Sequence, residues 1–115
     1  STFMTPPTKK LSPTFSERVI RLALSLPSGR VSTYGDIARA CGGGPMASQS
    51  ITSILGKAYQ NGEKSIPFHR IVYSDGRVWM SPEYEQKRRK LYKKEGLELD
   101  EKGRIKDFPA KRLQF

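Results

Sequence analysis

The sequence predicts a mainly α domain with a small β-hairpin, a winged-helix-like fold built around a helix-turn-helix. Three observations predict it. Two short helical patterns meet at the triple glycine 42–44, and a β-rich run at 66–73 (IPFHRIVY) is followed by a turn and a second short β segment. The chain also carries 21 Lys plus Arg against 11 Asp plus Glu, a formal charge of +10. Its 115 residues suffice for one core but not for two independent ones, so a single domain is expected over residues 12–115. Residues 1–11, in which Ser1-Thr2-Phe3 precede the proline-rich, basic stretch MTPPTKKL, are expected to be disordered and tag-like.

The elements follow from local signals. Ser12-Pro13 supplies an N-cap and a first-turn proline, after which Phe15, Val19, Leu22 and Leu26 recur at helical spacing until Pro27-Ser28-Gly29. Thr33 is placed to cap a second short helix carrying Tyr34, Ile37 and Ala38. Pro45 restarts a third helix, in which Ile51, Ile54, Leu55 and Ala58 share one face. Ser74-Asp75-Gly76 reads as a turn that folds Arg77-Val78-Trp79 back on the preceding run as a wing. Ser81-Pro82-Glu83 repeats the cap, proline and acidic-first-turn signature and opens a basic helix that stops at Gly96. The tail shows one turn signal, Lys102-Gly103.

Composition bounds the partners. A positive balance favours polyanions, although a lysine-rich solubilising surface or an anionic membrane surface would show the same charge. Cys41 is the only cysteine, so no internal disulfide is expected, and its place beside the glycine turn reads as a small buried filler. No apolar run is long enough to span a bilayer, and no signal-peptide pattern is present, which predicts an intracellular setting without membrane partners. No metal-ligand cluster appears, and glycines 42–44 lack the lysine and threonine of a phosphate-binding loop, so no metal and no cofactor is expected. On pattern alone the chain is either a winged-helix nucleic-acid binder or an interaction module with a solvated charged face.

The motifs VSTYGDIA at 31–38, Gly43-Gly44-Pro45, Pro67-Phe68-His69-Arg70-Ile71-Val72 and Glu95-Gly96 follow in an order that carries a resemblance. The chain resembles the DNA-binding domain of the O6-alkylguanine-DNA alkyltransferases, and still more closely the alkyltransferase-like proteins that lack the acceptor cysteine. The similarity covers about residues 14–98. In the active relatives the motif reads Pro-Cys-His-Arg: a thiol attacks the alkyl carbon, a histidine takes the thiol proton through water, and a glutamate orients the imidazole. The resemblance places Phe68 where that thiol would stand, with His69 and Glu95 as vestigial supporting residues. A phenyl ring has no lone pair to donate, so no catalytic residue is expected.

By the same resemblance Tyr34 presses on the target phosphate and helps rotate the base outward; Thr33, Gln49, Ser50, Thr52, Ser53, Lys57 and Arg70 are the expected DNA contacts, the α3 hydroxyls reading either as neutral phosphate contacts or as ordinary surface. Arg30 and Arg39 fall on the same expected face. The expected lesion pocket consists of Tyr34, Phe68, Ile71, Val72, Trp79, Met80 and Ser81. Phe68 either lines that pocket or fills the hole left by the nucleophile, and Trp79 forms either a pocket wall or packing for the hairpin. Gln49 stands where relatives insert an arginine into the stack, and an amide lacks the planar cation that stacks well there. Ile51-Thr52 replaces a Val-Gly, one extra glycine and about two extra residues fall in loops, and Trp79-Met80-Ser81-Pro82-Glu83 replaces a glycine-rich loop.

The resemblance therefore implies a monomeric, non-enzymatic sensor that flips O6-alkylguanine out of duplex DNA and flags it for nucleotide excision repair. It would act on the DNA of the nucleoid or nucleus. The alternative is a winged-helix DNA-binding or regulatory module that has lost lesion recognition with its thiol and arginine. The cluster Lys87-Arg88-Arg89-Lys90 reads as a DNA contact, a solvated face or a dock for a repair partner.

Overall fold

The computed structural model describes residues 14–44 and 46–115. The expected tag-like segment, the Ser12-Pro13 cap and the Pro45 helix start lie outside these residues. Helix α1 (Phe15–Leu24) is opened by Thr14, whose side chain accepts from the Glu17 N–H at 3.1 Å while the Glu17 carboxylate accepts from the Thr14 N–H at 2.9 Å. This reciprocal capping box satisfies two donors that a helix start otherwise leaves unpaired. Val19 and, beyond the helix end, Leu26 are buried as their spacing predicts, while Phe15 and Leu22 pack half-buried and Ala23 joins the core beside them.

Strand β1 (Ser32–Thr33) leads directly into α2 (Tyr34–Ala40), and Thr33 is the cap: its hydroxyl accepts from the Asp36 N–H at 2.9 Å. The glycine turn then carries the chain into α3 (Ser48–Gln60), which buries Ile51 and Leu55. Ile54 and Ala58 pack half-buried against the same core. Gly43 is required here, because an added Cβ would lie 2.5 Å from the Ala47 Cβ and 3.0 Å from the Ala38 carbonyl oxygen. Its N–H donates to that carbonyl at 2.8 Å and closes the corner between α2 and α3.

The class is mainly helical with a small two-stranded sheet, but the sheet is not the expected hairpin. Strand β2 (Ile71–Val72) pairs parallel with β1, Ser32 opposite Ile71 and Thr33 opposite Val72. The preceding residues, Phe68–Arg70, form a 3-10 turn rather than the start of a strand. Two turn hydrogen bonds, Tyr73 N–H to the Arg77 carbonyl and Gly76 N–H to the Tyr73 carbonyl, each 2.9 Å, fold the Arg77 segment back without extending into a ladder. The would-be wing pairs instead with the tail: Arg77 bridges Arg104, Val78 N–H donates to the Gly103 carbonyl at 3.0 Å, and Ile105 N–H donates to the Gly76 carbonyl at 2.9 Å. Burial explains the preference. Successive strand residues point to opposite faces, and here Ile71 enters one core while Val72 enters another.

These two cores share the strand pair. The first joins α1, α2 and α3; the second gathers Val31, Val72, Tyr92, Leu97 and Ile105. Helix α4 (Glu85–Lys94) supplies Tyr92. It starts later than Ser81-Pro82-Glu83 suggests, because the Ser81 carbonyl accepts from the Tyr84 N–H at 3.0 Å and makes a turn of that signature. The expected stop at Gly96 agrees with its left-handed φ of +74°. The tail, in which the sequence shows only a turn, holds a short helix α5 (Phe108–Lys111) and a bridge from Val31 to Arg112. Val31 N–H donates to the Lys111 carbonyl at 3.0 Å, and Leu113 N–H donates to the Val31 carbonyl at 2.8 Å. Arg112 then grips Asp36 at the first turn of α2, with Nε at 2.7 Å and Nη2 at 2.8 Å.

Replacing Gly43 by alanine should force α2 and α3 apart and lower stability by about 1–3 kcal/mol, the range for overpacked sites. Urea unfolding of the variant checks this; an unchanged midpoint would show that the corner yields freely.

Candidate nucleic-acid interface

The 3-10 turn that carries Phe68, His69 and Arg70 is held by one carboxylate. Glu95, just past the end of α4 and with its side chain only 5 % exposed, accepts from His69 Nε2 at 2.6 Å, Arg70 Nη2 at 2.7 Å and Nε at 3.0 Å, and the Gly29 N–H at 3.1 Å. Arg70 Nη1 donates onward to the Leu26 carbonyl at 2.7 Å. Burial pushes the Glu95 carboxyl up, but the donors from Arg70, His69 and Gly29 outweigh it and bring its pKa from 4.5 to about 2. His69 is pulled two ways: burial lowers its pKa and contact with Glu95 raises it, with burial the larger effect and the net shift downward from 6.5. The imidazole is therefore neutral at pH 7 and donates its Nε2 proton to Glu95.

This network corrects one expectation. Arg70 does not belong to a phosphate-contacting face, because its guanidinium is committed to Glu95 and Leu26. Thr33 is likewise excluded as a DNA contact: it is 2 % exposed and its hydroxyl serves the α2 cap. Gln49, Ser50, Thr52, Ser53 and Lys57 all lie on α3 outside its buried stripe. The Ser50 hydroxyl donates to the Ala47 carbonyl at 2.8 Å. Arg30 and Arg39 are exposed, and Arg39 is paired with Asp36.

A cavity of about 550 Å³ opens between α2, α3, the 3-10 turn and α4, within the usual size of a ligand pocket. Tyr34, Phe68 and Trp79, three of the residues named from sequence, line it. Phe68 is half-buried and its ring meets Tyr59 edge-on, centroids 5.9 Å apart, while Tyr34 leans on Tyr73 at 5.8 Å. Trp79 is 40 % exposed, sits 6.0 Å from Tyr84 and lies under the Arg88 guanidinium at 5.1 Å. It is a wall of the cavity. Thr52 also reaches the lining, where it hydrogen-bonds the Tyr34 hydroxyl. Burial, then the Tyr73 hydroxyl, hold the Tyr34 pKa above its ordinary value.

The rest of the expected pocket lies elsewhere. Ile71 and Val72 face the two cores, since the parallel pairing of β2 turns both side chains inward. Met80 packs on the second core, and Ser81 turns toward α4 without reaching the lining. Sequence reasoning missed Tyr59, Lys64, Tyr84 and Arg88, which do line the cavity. Tyr84, Arg88 and Leu91 recur at the spacing of one helix face, a signal that becomes legible only once α4 is known to pack beside the 3-10 turn. Cys41 is 4 % exposed in the first core, its thiol pKa raised by burial, and it does not line the cavity. Among the described residues no cluster of His, Cys, Asp or Glu could hold a metal, and no helix is long and apolar enough to cross a membrane.

A helix-turn-helix whose α2 and α3 border an aromatic cavity, on a strongly basic chain, defines a DNA-binding domain with room for an extruded base. Residues 14–97 match the family model described as the DNA binding domain of 6-O-methylguanine DNA methyltransferase, and the chain belongs to that family. It is 29 % identical over 91 residues to a DNA base-flipping protein of Escherichia coli K12, covering 79 % of this chain and 68 % of that one. A protein of the same name from Vibrio parahaemolyticus is 26 % identical, with 79 % and 88 % covered. Among solved structures, S. pombe Atl1 in complex with damaged DNA containing O6-carboxymethylguanine superposes with a TM-score of 0.68 at 25 % identity, covering 88 % of this chain and 95 % of Atl1. A point variant of Mycobacterium tuberculosis OGT shares the fold at a TM-score of 0.52 and 23 % identity, with 82 % of this chain and 52 % of that one covered.

The depressed pKa of Glu95 makes it a source of acid-sensitive stability. The fall from 4.5 to about 2 corresponds to roughly 3 kcal/mol, complete above pH 4.5 and lost as the pH drops toward 2. His69, whose folded pKa is also lowered, adds a loss in the same direction that begins as the pH falls below 6.5. Glu95→Gln should cost about 3 kcal/mol at pH 7, because it leaves Arg70 uncompensated, and should flatten the stability profile between pH 4.5 and 2. Urea titrations across that range decide it; parallel profiles for the two proteins would assign the acid sensitivity to another group.

Proposed function

We propose that this chain is a non-enzymatic DNA-damage recognition protein that binds O6-alkylguanine in duplex DNA, turns the base into the cavity beside Phe68 and keeps it there without alkyl transfer. The observation that carries the reading is the cavity itself: an aromatic chamber bordered by the helix-turn-helix and lined by no thiol. In the family resemblance Phe68 takes the acceptor position. Its ring offers dispersion and stacking to a flipped base but no electron pair to an alkyl carbon. His69, neutral and hydrogen-bonded to Glu95, has no thiol to deprotonate and serves to anchor the turn that presents Phe68. Cys41 is buried away from the cavity and does not replace the missing nucleophile. The names of the relatives and the lesion-bound Atl1 structure support the same reading.

Extrusion has chemical support in Tyr34 and α3. Tyr34 stands at the start of α2 on the cavity rim, where its bulk can press a nucleotide outward, while the exposed Lys57 and the hydroxyls of α3 meet phosphates. The protein acts as a monomer on cellular DNA, and tight retention of the lesion marks the site for nucleotide excision repair. A second reading, a winged-helix module without lesion recognition, is favoured by Gln49, since an amide fills the gap left by a flipped base less well than a guanidinium.

The deciding comparison is affinity for one duplex containing a single O6-methylguanine against the same duplex with guanine, at matched salt. A preference of about tenfold or more is expected, with no alkyl group found on the protein by mass spectrometry. Equal affinities would favour the winged-helix module, and an alkylated protein would make it a transferase. Tyr34→Ala should reduce the preference severalfold or abolish it. Log affinity should fall linearly with log salt, and Lys57→Ala should make that slope shallower by about one. Retention of excision proteins on lesion DNA only when this chain is present checks the proposed hand-over; failure to retain them would remove that step.

A further inference from the structure

Tyr34 is held in two ways. Its side chain is fixed locally: the ring leans on Tyr73 at 5.8 Å and the hydroxyl is hydrogen-bonded to Thr52. Its backbone is fixed by the tail. Val31, three residues before it, donates its N–H to the Lys111 carbonyl at 3.0 Å and accepts from the Leu113 N–H at 2.8 Å. Arg112 stands between those two tail residues, and its side chain reaches Asp36, two residues after Tyr34, with Nε 2.7 Å from Oδ2 and Nη2 2.8 Å from Oδ1. The tail thus grips the chain on both sides of Tyr34.

The pair with Asp36 orients as well as attracts. Two donors on two carboxylate oxygens fix direction together with distance, which a single ammonium does not. The Asp36 side chain is 11 % exposed and that of Arg112 33 %, whereas the pair Arg89–Glu85 is about half exposed on both sides. The Arg112 guanidinium also lies 5.5 Å from the Phe108 ring centroid, and Phe108 sits so close to the Gly76 turn that a Cβ on Gly76 would be 3.0 Å from its ring. Arg39 meets the same Asp36 carboxylate, but it is exposed and belongs to α2 itself, so it ties that helix to no other element.

This grip bears on base extrusion. Strand β1 pairs with β2 through two residues only, and the tail supplies its other flank. Gln49 fills the gap left by a flipped base less well than a guanidinium, so more of the extrusion falls on Tyr34. A ring already held in position loses less freedom on engaging the nucleotide. We propose that Arg112 is a positioning residue for base extrusion, acting through Asp36 and the first turn of α2 to set Tyr34 against the target nucleotide. The proposal rests on the base-flipping reading above. It extends the extrusion apparatus beyond residue 97, where the match to the family model ends.

The test places 2-aminopurine beside a single O6-methylguanine in a duplex, where its fluorescence rises as the neighbouring base leaves the stack, and reads that rise at saturating protein. The expected result is a rise with the wild type that is at least about threefold smaller with Arg112→Gln and falls between the two with Arg112→Lys, which keeps the charge but not the fork. Reading at saturation takes out any change in affinity, and thermal melts show which variants are folded. A merely structural role would lower the melting temperature and leave the rise unchanged. In a second readout, fluorine NMR of the free protein labelled with 3-fluorotyrosine, the Tyr34 line is assigned through Tyr34→Phe and is expected to shift or broaden in both Arg112 variants. If Arg112→Gln fails to fold, Arg112→Lys decides alone by the same two readouts. An undiminished rise in folded variants, or an unmoved Tyr34 line, would overturn the role of Arg112 and leave base flipping standing. No rise with the wild type would remove the base-flipping reading and this role with it.

Discussion

Glu95 is the interaction on which the remaining geometry depends. One buried carboxylate gathers the loop after α1 through Gly29, the 3-10 turn through His69 and Arg70, and the end of α4 through its own backbone. Arg70 extends the same grip to the Leu26 carbonyl. Two of the elements that frame the cavity, the 3-10 turn and α4, are tied here, so their relative position is set by this carboxylate. Paired charges of this kind are expensive to desolvate and worthwhile only when every donor and acceptor is used. Glu95 meets that condition with donors on both of its oxygens.

A second constraint comes from the strand pair. Because β2 places Ile71 in one core and Val72 in the other, the helix-turn-helix and the tail are coupled through two residues of backbone. Arg112 adds a direct tie to Asp36, whose carboxyl pKa is held low chiefly by that guanidinium. The tail therefore braces the N-terminal end of α2, where Tyr34 leaves the sheet and enters the cavity wall. Residues beyond the span matched by the family model thus contribute to the placement of a residue within it.

Under the proposed function, the scaffold suits retention better than chemistry. Aromatic rings and a neutral, anchored histidine surround the site, and no thiol lines it to accept an alkyl group. A bound lesion would gain contacts and lose none by leaving-group departure, so occupancy would persist.

The sequence by itself determined what local physics controls. Thr33 could be read as a cap because a hydroxyl before Tyr34 satisfies an open helix donor, and the α3 stripe of Ile51 and Leu55 follows from helical periodicity alone. Motif order also marked Tyr34, Phe68 and Trp79, all of which reach the cavity. Pairing partners were not legible. Two-residue strands leave almost no pattern, so the parallel match of β2 to β1, and the tail's claim on Arg77, depended on which backbone groups became buried together. Arg70 looked like a phosphate ligand until Glu95, 25 residues away, engaged its guanidinium. Arg88 looked like one charge in a basic helix until α4 packed beside Trp79. Composition records that a cation is present, but only the tertiary structure decides whether an anion already answers it, because pairing is a property of distance in space and not along the chain.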